Sequence, residues 1–177
     1  MLRIRAVCCA GYEVLKPEKN LFLDDGIETG TYSIKRMMDV RPTKEEGYML
    51  VAKAVAQRST CLRRKYGCVI IKDDIPVSFG YNGAPRGEPN CCDVGYCWRE
   101  ENHIPHGERY EACRACHAED NAISFASAHD LLDATLYLYG EENGQTIEAK
   151  PCDMCARRIK NVRIKEVISS KPSADDR

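Results

Sequence analysis

Two short motifs, one in the middle of the chain and one near its end, constrain its fold more than any other feature. His117 is followed two residues later by Glu119, and Pro151 precedes Cys152 and Cys155, which two residues separate. One imidazole and two thiolates are three of the four ligands that Zn²⁺ takes in tetrahedral sites, and catalytic zinc sites leave the fourth position to water. The two motifs together therefore predict a catalytic zinc site.

Glu119 distinguishes this pattern from a structural zinc site. A closed structural site has no use for a carboxylate two residues from a ligand, whereas a hydrolytic site needs a base beside the water. Residues two apart point to different sides of a helix, so His117 and Glu119 converge only at a helix N-terminus. Pro151 suits a second helix start, where the N-terminus favours thiolates at Cys152 and Cys155. We therefore expect two helix N-termini facing one metal, with Glu119 as the catalytic residue.

Composition narrows the function classes. A chain of 177 residues is most simply one domain, and a net charge of −1 with a pI near 6.4 argues against a stable nucleic-acid partner. No apolar run of about 18 residues is present, so no membrane span is expected. The charged N-terminal stretch does not resemble a secretory leader. Eleven cysteines beside a motif that needs thiolates favour a reducing, cytoplasmic location.

Periodicity predicts a mixed α/β order. We expect residues 1–36 to be an N-terminal extension outside the core, of unclear structure, and residues 37–177 to be the zinc-dependent domain. Residues 88–114 lack a period and predict a long ordered loop. The remaining elements are helices at 42–58, 115–128 and 152–160 and strands at 66–72, 75–81, 134–140 and 164–169, with a hairpin turn at residues 73–74. This order predicts a mixed sheet with helices packed on it.

Residues 44–169 resemble the deoxycytidylate deaminase branch of the cytidine deaminase superfamily, and within it the competence-operon type. The segments that carry the resemblance are 58–61 (RSTC), 81–87 (YNGAPRG), 104–109 (IPHGER), 113–114 (CR), 117–123 (HAEDNAI) and 151–155 (PCDMC). The resemblance implies a three-layer α/β/α fold with a central mixed sheet. It also implies conversion of dCMP to dUMP and ammonia, which supplies the precursor of dTMP, in a homo-oligomer, often a hexamer, regulated by dCTP and dTTP.

The resemblance also implies roles for individual residues. Asn82 matches an asparagine near the sugar, although an Asn before Gly83 is also typical of a left-handed turn. Backbone amides near Ala118 and Cys152 are expected to contact the base. Candidates for the substrate phosphate are Arg64, Arg63, Arg86 and Arg109, because guanidinium groups bind phosphate bidentately. The loop that relatives use near the effector contains Gly83, Pro85 and Gly87. The chain has Tyr110 where family members often have His.

A second group of metal-ligating side chains is crowded between residues 91 and 116. This segment has no apolar period, and a structural metal would hold it in place. We predict a second zinc bound by Cys91, Cys97 and Cys113, with His106, His103 or Cys116 as the fourth ligand. The alternative is a set of ordinary free thiols.

Three other functions remain open. The chain could be another deaminase of the superfamily, acting on tRNA adenosine or on free cytidine, or a non-catalytic zinc-stabilised binding module. The near-neutral charge and the Asn82 loop disfavour an RNA substrate. Glu119 disfavours the binding module, which has no need of a base.

Overall fold

A mixed β-sheet forms the centre of the molecule. The computed structural model describes residues 3–8, 41–105 and 107–172, and within them the sheet has six strands. The strands are β1 (Arg3–Cys8), β2 (Lys65–Lys72), β3 (Ile75–Tyr81), β4 (Thr135–Glu142), β5 (Gln145–Thr146) and β6 (Glu166–Lys171). Their order is β1-β6-β4-β2-β3, with β5 paired to β4. β1, β6 and β4 are parallel neighbours, whereas β2 is antiparallel to both β4 and β3.

Helices cover both faces of this sheet. They are α1 (Lys44–Ala56), α2 (Cys91–Val94), α3 (Trp98–Glu101), α4 (Ala118–Ser124), α5 (Ala128–Leu131) and α6 (Asp153–Asn161), with a 3-10 turn at Tyr110–Ala112. β2 is buried on both sides because alternate residues enter two cores. Val69 packs with the α1 residues Met49 and Ala52, while Ile70 packs with Ala122 of α4 and Ile159 of α6. This arrangement confirms the predicted three-layer α/β/α fold.

Local sequence accounts for the start of α1. The Thr43 side chain accepts a hydrogen bond from the Glu46 backbone, and the Glu46 carboxylate accepts one from the Thr43 backbone. This reciprocal cap satisfies backbone donors that a helix start leaves unpaired. The helix therefore begins at Lys44 and ends at Ala56, two residues inside the predicted 42–58 at each end. The hairpin turn falls at Asp73 and Asp74, as predicted, and both have positive φ.

The structure differs from the sequence predictions in three places. Arg3–Cys8 form the edge strand β1, within the segment expected to lie outside the core; the rest of that segment lies outside the described residues. Its partner β6 is about 160 residues away, so local patterning carries no sign of the pairing. The predicted helix at 115–128 is shorter, because α4 ends at Ser124 and Ser127 caps a separate helix, α5. The predicted loop at 88–114 contains α2, α3 and the 3-10 turn.

Gly80 fixes the distance between β3 and α4, the helix that follows His117. A Cβ atom at this position would overlap the carbonyl oxygen of Ala118 and the backbone nitrogen of Ala122. Glycine is thus required for the close packing of α4 on the sheet. None of the helices described has the length and apolar character of a membrane span.

Candidate metal centre and active site

Three predicted metal ligands converge between α4 and α6. His117 Nδ1 lies 3.3 Å from Cys152 Sγ and 3.4 Å from Cys155 Sγ. Ligands bound tetrahedrally at zinc–nitrogen and zinc–sulfur distances are separated by roughly 3.5 Å, so the donor set and its spacing fit Zn²⁺. Among the described residues, these side chains are the one group of three or more candidate ligands whose ligand atoms all lie within 4.8 Å of one another.

Two helix N-termini position these ligands. His117 is the N-cap of α4 and Cys152 is the N-cap of α6, both with extended backbone, and Cys155 lies in the first turn of α6. The predicted helices included His117 and Cys152, whereas each residue stands just before its helix. Neither side chain makes a capping hydrogen bond to its own helix. Both are therefore directed to the shared centre, where the positive helix ends favour thiolates.

Hydrogen bonds between these groups shift the pKa values of Cys152 and His117. A hydrogen bond from the Cys155 thiol and another from His117 lower the pKa of Cys152 to about 3, and the hydrogen bond with Cys152 raises the pKa of His117. These hydrogen bonds favour the thiolate form of Cys152. A divalent cation held by His117, Cys152 and Cys155 would bind both sulfurs as thiolates.

Glu119 lies beside the centre in the first turn of α4. Its side chain is only 5% exposed, and burial raises its pKa to about 6. A carboxyl group with a pKa near the working pH can both accept and donate a proton. Its neighbour Ala118 is fully buried. The contact expected between the Ala118 amide and the base stays a prediction.

The predicted effector loop is joined directly to the metal-binding motif. Gly83 N donates to Cys116 O at 3.2 Å, and Cys116 N donates to Gly83 O at 2.8 Å, one residue before His117. Asn121 of α4 donates through Nδ2 to Tyr81 O at 2.7 Å, next to the same loop. Pro85 and Gly87 follow in its exposed part, where Gly87 has a φ of +88°. Movement of this loop would therefore reach His117 through two backbone hydrogen bonds.

The buried Asn82 side chain forms hydrogen bonds to three other residues. Its Oδ1 accepts hydrogen bonds from Ser59 Oγ at 2.6 Å and from Tyr66 N at 2.8 Å, and its Nδ2 donates to Arg64 O at 2.9 Å. These bonds use both acceptor positions of the amide oxygen and leave one N–H of the amide nitrogen for a substrate. The contact between Asn82 and the sugar stays a prediction. It would use the remaining N–H of Asn82 Nδ2.

Each arginine proposed for the phosphate already has a partner. Arg64 Nε donates to Glu142 at 2.9 Å, Arg63 lies 3.3 Å from Glu100, and Arg109 pairs with Glu111. Arg86 instead stacks 4.2 Å from the ring centroid of Phe125, at the end of α4. Arg64 also forms a hydrogen bond with the Tyr66 side chain, and the phosphate site on Arg64 stays a prediction.

Two tyrosines that the sequence did not mark as site residues lie close to the centre. The Tyr110 ring is edge-on to His117, with centroids 4.9 Å apart and an interplanar angle of 86°. Tyr66 is partly buried in β2. Burial raises its pKa, a hydrogen bond with Arg64 opposes that rise, and the nearby charge of Glu119 adds to it. The one sequence signal was the departure of Tyr110 from the family pattern, because neither residue belongs to a metal-ligand motif.

The residues predicted for a second zinc are partly brought together. Cys91, Cys97 and Cys113 line one cavity of about 300 Å³. Cys116 and His103 are not part of its lining, and His106 lies outside the described residues. Cys61, which the sequence analysis did not select, is close enough for its thiol to raise the pKa values of Cys91 and Cys113, in addition to the larger effect of burial. Cys61 therefore lies near this group of thiols, although it does not line the cavity.

Comparison with known proteins agrees with this geometry. The family "Cytidine and deoxycytidylate deaminase zinc-binding region" matches residues 42–171. The deoxycytidylate deaminase of Mycobacterium phage D29 is 36% identical over 137 residues, which cover 75% of this chain and 98% of the phage protein. The deoxycytidylate deaminase of Schizosaccharomyces pombe is 34% identical over 128 residues, and the match covers 72% of this chain but 37% of that protein.

Solved structures support the fold. The dCMP deaminase of cyanophage S-TIM5 in its apo form superposes with a TM-score of 0.51 at 23% identity, covering 77% of this chain and 89% of that one. The family match includes His117, Glu119, Cys152 and Cys155, the residues that meet at the centre described above. By sequence, fold and metal-ligand geometry, this chain belongs to the cytidine and deoxycytidylate deaminase family.

Proposed function

We propose that this chain is a zinc-dependent deaminase that converts dCMP and water to dUMP and ammonia. The observation that carries the proposal is the buried Glu119 beside the His117, Cys152 and Cys155 cluster, at the meeting point of two helix N-termini. The relatives named deoxycytidylate deaminase support the substrate class. The S-TIM5 enzyme has also been solved in complex with dCMP and dUMP.

The chain's own residues account for the proton transfers. Zinc, when held by His117, Cys152 and Cys155, supplies a Lewis acid that makes water nucleophilic at neutral pH. The Glu119 carboxylate accepts a proton from that water while the water oxygen bonds to C4 of cytosine. Glu119 gives this proton to N3 and then carries the second proton to the amino group, which leaves as ammonia. The burial that raises the pKa of Glu119 to about 6 suits a group that must work in both directions.

A substrate panel tests this function. Purified zinc-loaded protein is offered dCMP, dCTP, deoxycytidine, cytidine and adenosine separately, and ammonia release is measured for each. We expect dCMP to have the highest kcat/KM. Turnover of adenosine or cytidine in preference to dCMP would assign the chain to another deaminase class. Absence of ammonia with all five would support a zinc-stabilised binding module.

We also infer a second, structural zinc bound by Cys61, Cys91, Cys97 and Cys113; no three of these sulfurs lie within 4.8 Å of one another in the structure, so zinc binding would have to draw them together. The last three line one cavity, and the nine cysteines from Cys61 to Cys155 are free thiols. Thr60 Oγ1 is hydrogen-bonded to Asn90 Oδ1 at 3.0 Å, which holds the residue before Cys61 against the residue before Cys91. A ligand set of four thiolates is typical of a closed structural site.

Elemental analysis tests the second metal. We expect two zinc ions per chain, because the four thiols are separate from the ligand set of His117, Cys152 and Cys155. Cys97→Ser should lower the count by one and reduce the melting temperature, because structural metal binding contributes folding free energy. Cys152→Ser should also lower the count by one, but it should abolish turnover. One zinc in the parent would show that the thiol group is unmetallated.

Regulation and assembly are proposed by analogy with the family. The loop containing Gly83, Pro85 and Gly87 would bind dCTP or dTTP and act on His117 through the Gly83–Cys116 pairing. A homo-oligomer, with a hexamer as one form, would cover the exposed Ile75 and Phe79 on edge strand β3. Titration of activity with each nucleotide tests the first proposal, with cooperative activation by dCTP expected.

We also propose a cytoplasmic location and limits for the deaminase domain. Free thiols at the nine cysteines from Cys61 to Cys155 suit a reducing cytoplasm. The deaminase domain, proposed as residues 37–177, includes the family match at 42–171. The competence-operon subtype is proposed from the shared cysteine positions that supply the second zinc. The zinc count described above tests that subtype as well.

A further inference from the structure

An ion pair joins α4 to α6 beside the metal ligands. The Asp120 Oδ1 atom on α4 is paired with Arg158 Nη1 on α6. The Asp120 side chain is 27% exposed, but Oδ1 itself is buried, and no hydrogen bond from the described residues supplements the ion pair at that atom. Removal of Arg158 would therefore leave a buried carboxylate oxygen without its counter-charge, which is costly because the lost hydration is not replaced.

Each member of the pair stands about one helical turn after a metal ligand. Asp120 is three residues after His117, and Arg158 is three residues after Cys155. Residues three apart lie on the same side of a helix, so the ion pair is on the sides of α4 and α6 that carry these ligands. The Asp120 charge is also near enough to add to the raised pKa of His117, after the larger effect of the hydrogen bond with Cys152.

Other polar contacts fix the opposite side of α4. Asn121 Nδ2 donates to Tyr81 O at 2.7 Å, and Ser78 Oγ donates to Ala122 O at 2.7 Å, so α4 is tied to β3. Towards α6, the polar side-chain contact that the described part of the chain makes outside the catalytic centre is the ion pair of Asp120. Apolar packing between the two helices is non-directional, whereas an ion pair joins two particular atoms.

We propose that Asp120 and Arg158 are positioning residues, whose ion pair holds α4 and α6 at the spacing that the zinc site needs. This inference rests on the zinc-dependent function proposed above. It assigns a role to two residues that belong to neither metal-ligand motif. Contacts just outside a ligand set are known to orient the ligands and to tune the affinity for the metal.

Competition with a chelator measures zinc affinity in each variant. Cys152→Ser, which removes a ligand, identifies the zinc that is bound at the catalytic site. Arg158→Met should weaken that affinity about 10-fold or more. It should also lower kcat for dCMP with little change in KM, because the pair acts through the metal ligands. Arg158→Lys should recover most of the affinity, since an ammonium group still pairs with a carboxylate. Arg157→Met, which removes an exposed arginine from the same helix, is the matched control and should behave as the parent.

A double variant tests whether the two residues act as a pair. Asp120→Asn keeps the shape of the side chain and removes its charge, so it should also weaken zinc affinity. The combination of Asp120→Asn with Arg158→Met should be no weaker than Arg158→Met alone, because both changes break the same contact. Additive losses would overturn the pair. If Arg158→Met does not fold, parent-like zinc affinity in Asp120→Asn would overturn it instead.

Cobalt binding separates positioning from a general effect on stability. The visible absorption of Co²⁺ depends on the geometry of its ligands, and Cys152→Ser serves as the blank for the catalytic site. Arg158→Met should change this absorption, whereas Arg157→Met should not. A lower melting temperature in Arg158→Met, with the parent's Co²⁺ spectrum and zinc affinity, would show that the ion pair only stabilises the fold and would overturn the proposal.

The parent protein distinguishes this inference from the proposed function. If the parent binds zinc but releases no ammonia from dCMP, the proposed function fails, while zinc affinity and the Co²⁺ spectrum still decide the role of the pair. If the parent deaminates dCMP and Arg158→Met keeps its zinc affinity, Co²⁺ spectrum and kcat, the role of the pair alone is overturned.

Discussion

At the scale of single residues, the site combines groups that take part in chemistry with groups that hold the loops around it. Asn82 shows how the two can be confused. Its sequence context suggested a substrate contact or a left-handed turn, but the structure shows a side chain occupied by Ser59, Tyr66 and Arg64. Asn82 is absent from the residues with positive φ, so no turn of that kind occurs there.

Replacing Asn82 should therefore reduce stability before it affects binding. Asn82→Ala removes the side-chain partner of the part-buried Tyr66 amide and Arg64 carbonyl, which should cost about 1–3 kcal/mol in the free energy of unfolding. Urea denaturation measures this loss. Asn102→Ala, which removes an exposed side-chain bond to Trp98 O, is the control and should change stability little. An unchanged free energy of unfolding with a raised KM would show instead that Asn82 acts on the substrate alone.

At the scale of elements, the position of α4 on the sheet sets the geometry of the site. α4 carries Glu119 and begins after His117, and it packs on β3 at Gly80. The sequence predicted a helix here, with a metal ligand and a candidate catalytic residue at its start, because the motif has a defined geometric requirement. It did not mark Gly80 as special, because the need for a missing side chain appears only when the two backbones are placed together.

Gly80→Ala tests this contact. The added methyl group overlaps backbone atoms of α4, so the helix must shift. We expect a loss of about 1–3 kcal/mol in stability together with reduced kcat, because the shift moves His117 and Glu119 relative to α6. Gly47→Ala is the matched control. It lies within α1 with no atom within 4 Å of the added Cβ, and it should be about 1 kcal/mol more stable than the parent.

The pairing of β1 and the position of Cys61 near the thiol group were also not visible in the local sequence. The pairing of β1 with β6 joins segments about 160 residues apart, and Cys61 joins its group from a loop 30 residues before Cys91. The local period and the metal-ligand spacing are visible within short stretches of sequence. The helices, the central strands and the metal-ligand set of His117, Cys152 and Cys155 could therefore be predicted. Contacts between distant segments depend on the assembled fold, so β1, Cys61, Tyr66 and Tyr110 could not.

At the scale of the whole molecule, the exposed apolar residues on β3 lead to a prediction about assembly. Ile75 and Phe79 are 63% and 62% exposed on the edge strand of the sheet. Light scattering at micromolar concentration should therefore give a mass that is a multiple of the 20.0 kDa chain. Phe79→Glu should shift the protein towards smaller species, because it places a charge in the proposed interface. A fully active 20.0 kDa monomer in the parent would remove the assembly proposal.

The central claim is that Glu119 performs proton transfer for the deamination of dCMP at a zinc site built by His117, Cys152 and Cys155. The most direct test compares dUMP formation from dCMP by the parent and by Glu119→Gln, with zinc content measured on the same samples. The account predicts equal zinc and a rate reduced by about 10²–10⁴-fold or more, because one group makes several transfers. Equal zinc with a rate within about tenfold of the parent would contradict it, since a loss that small lies below what a general acid–base group contributes.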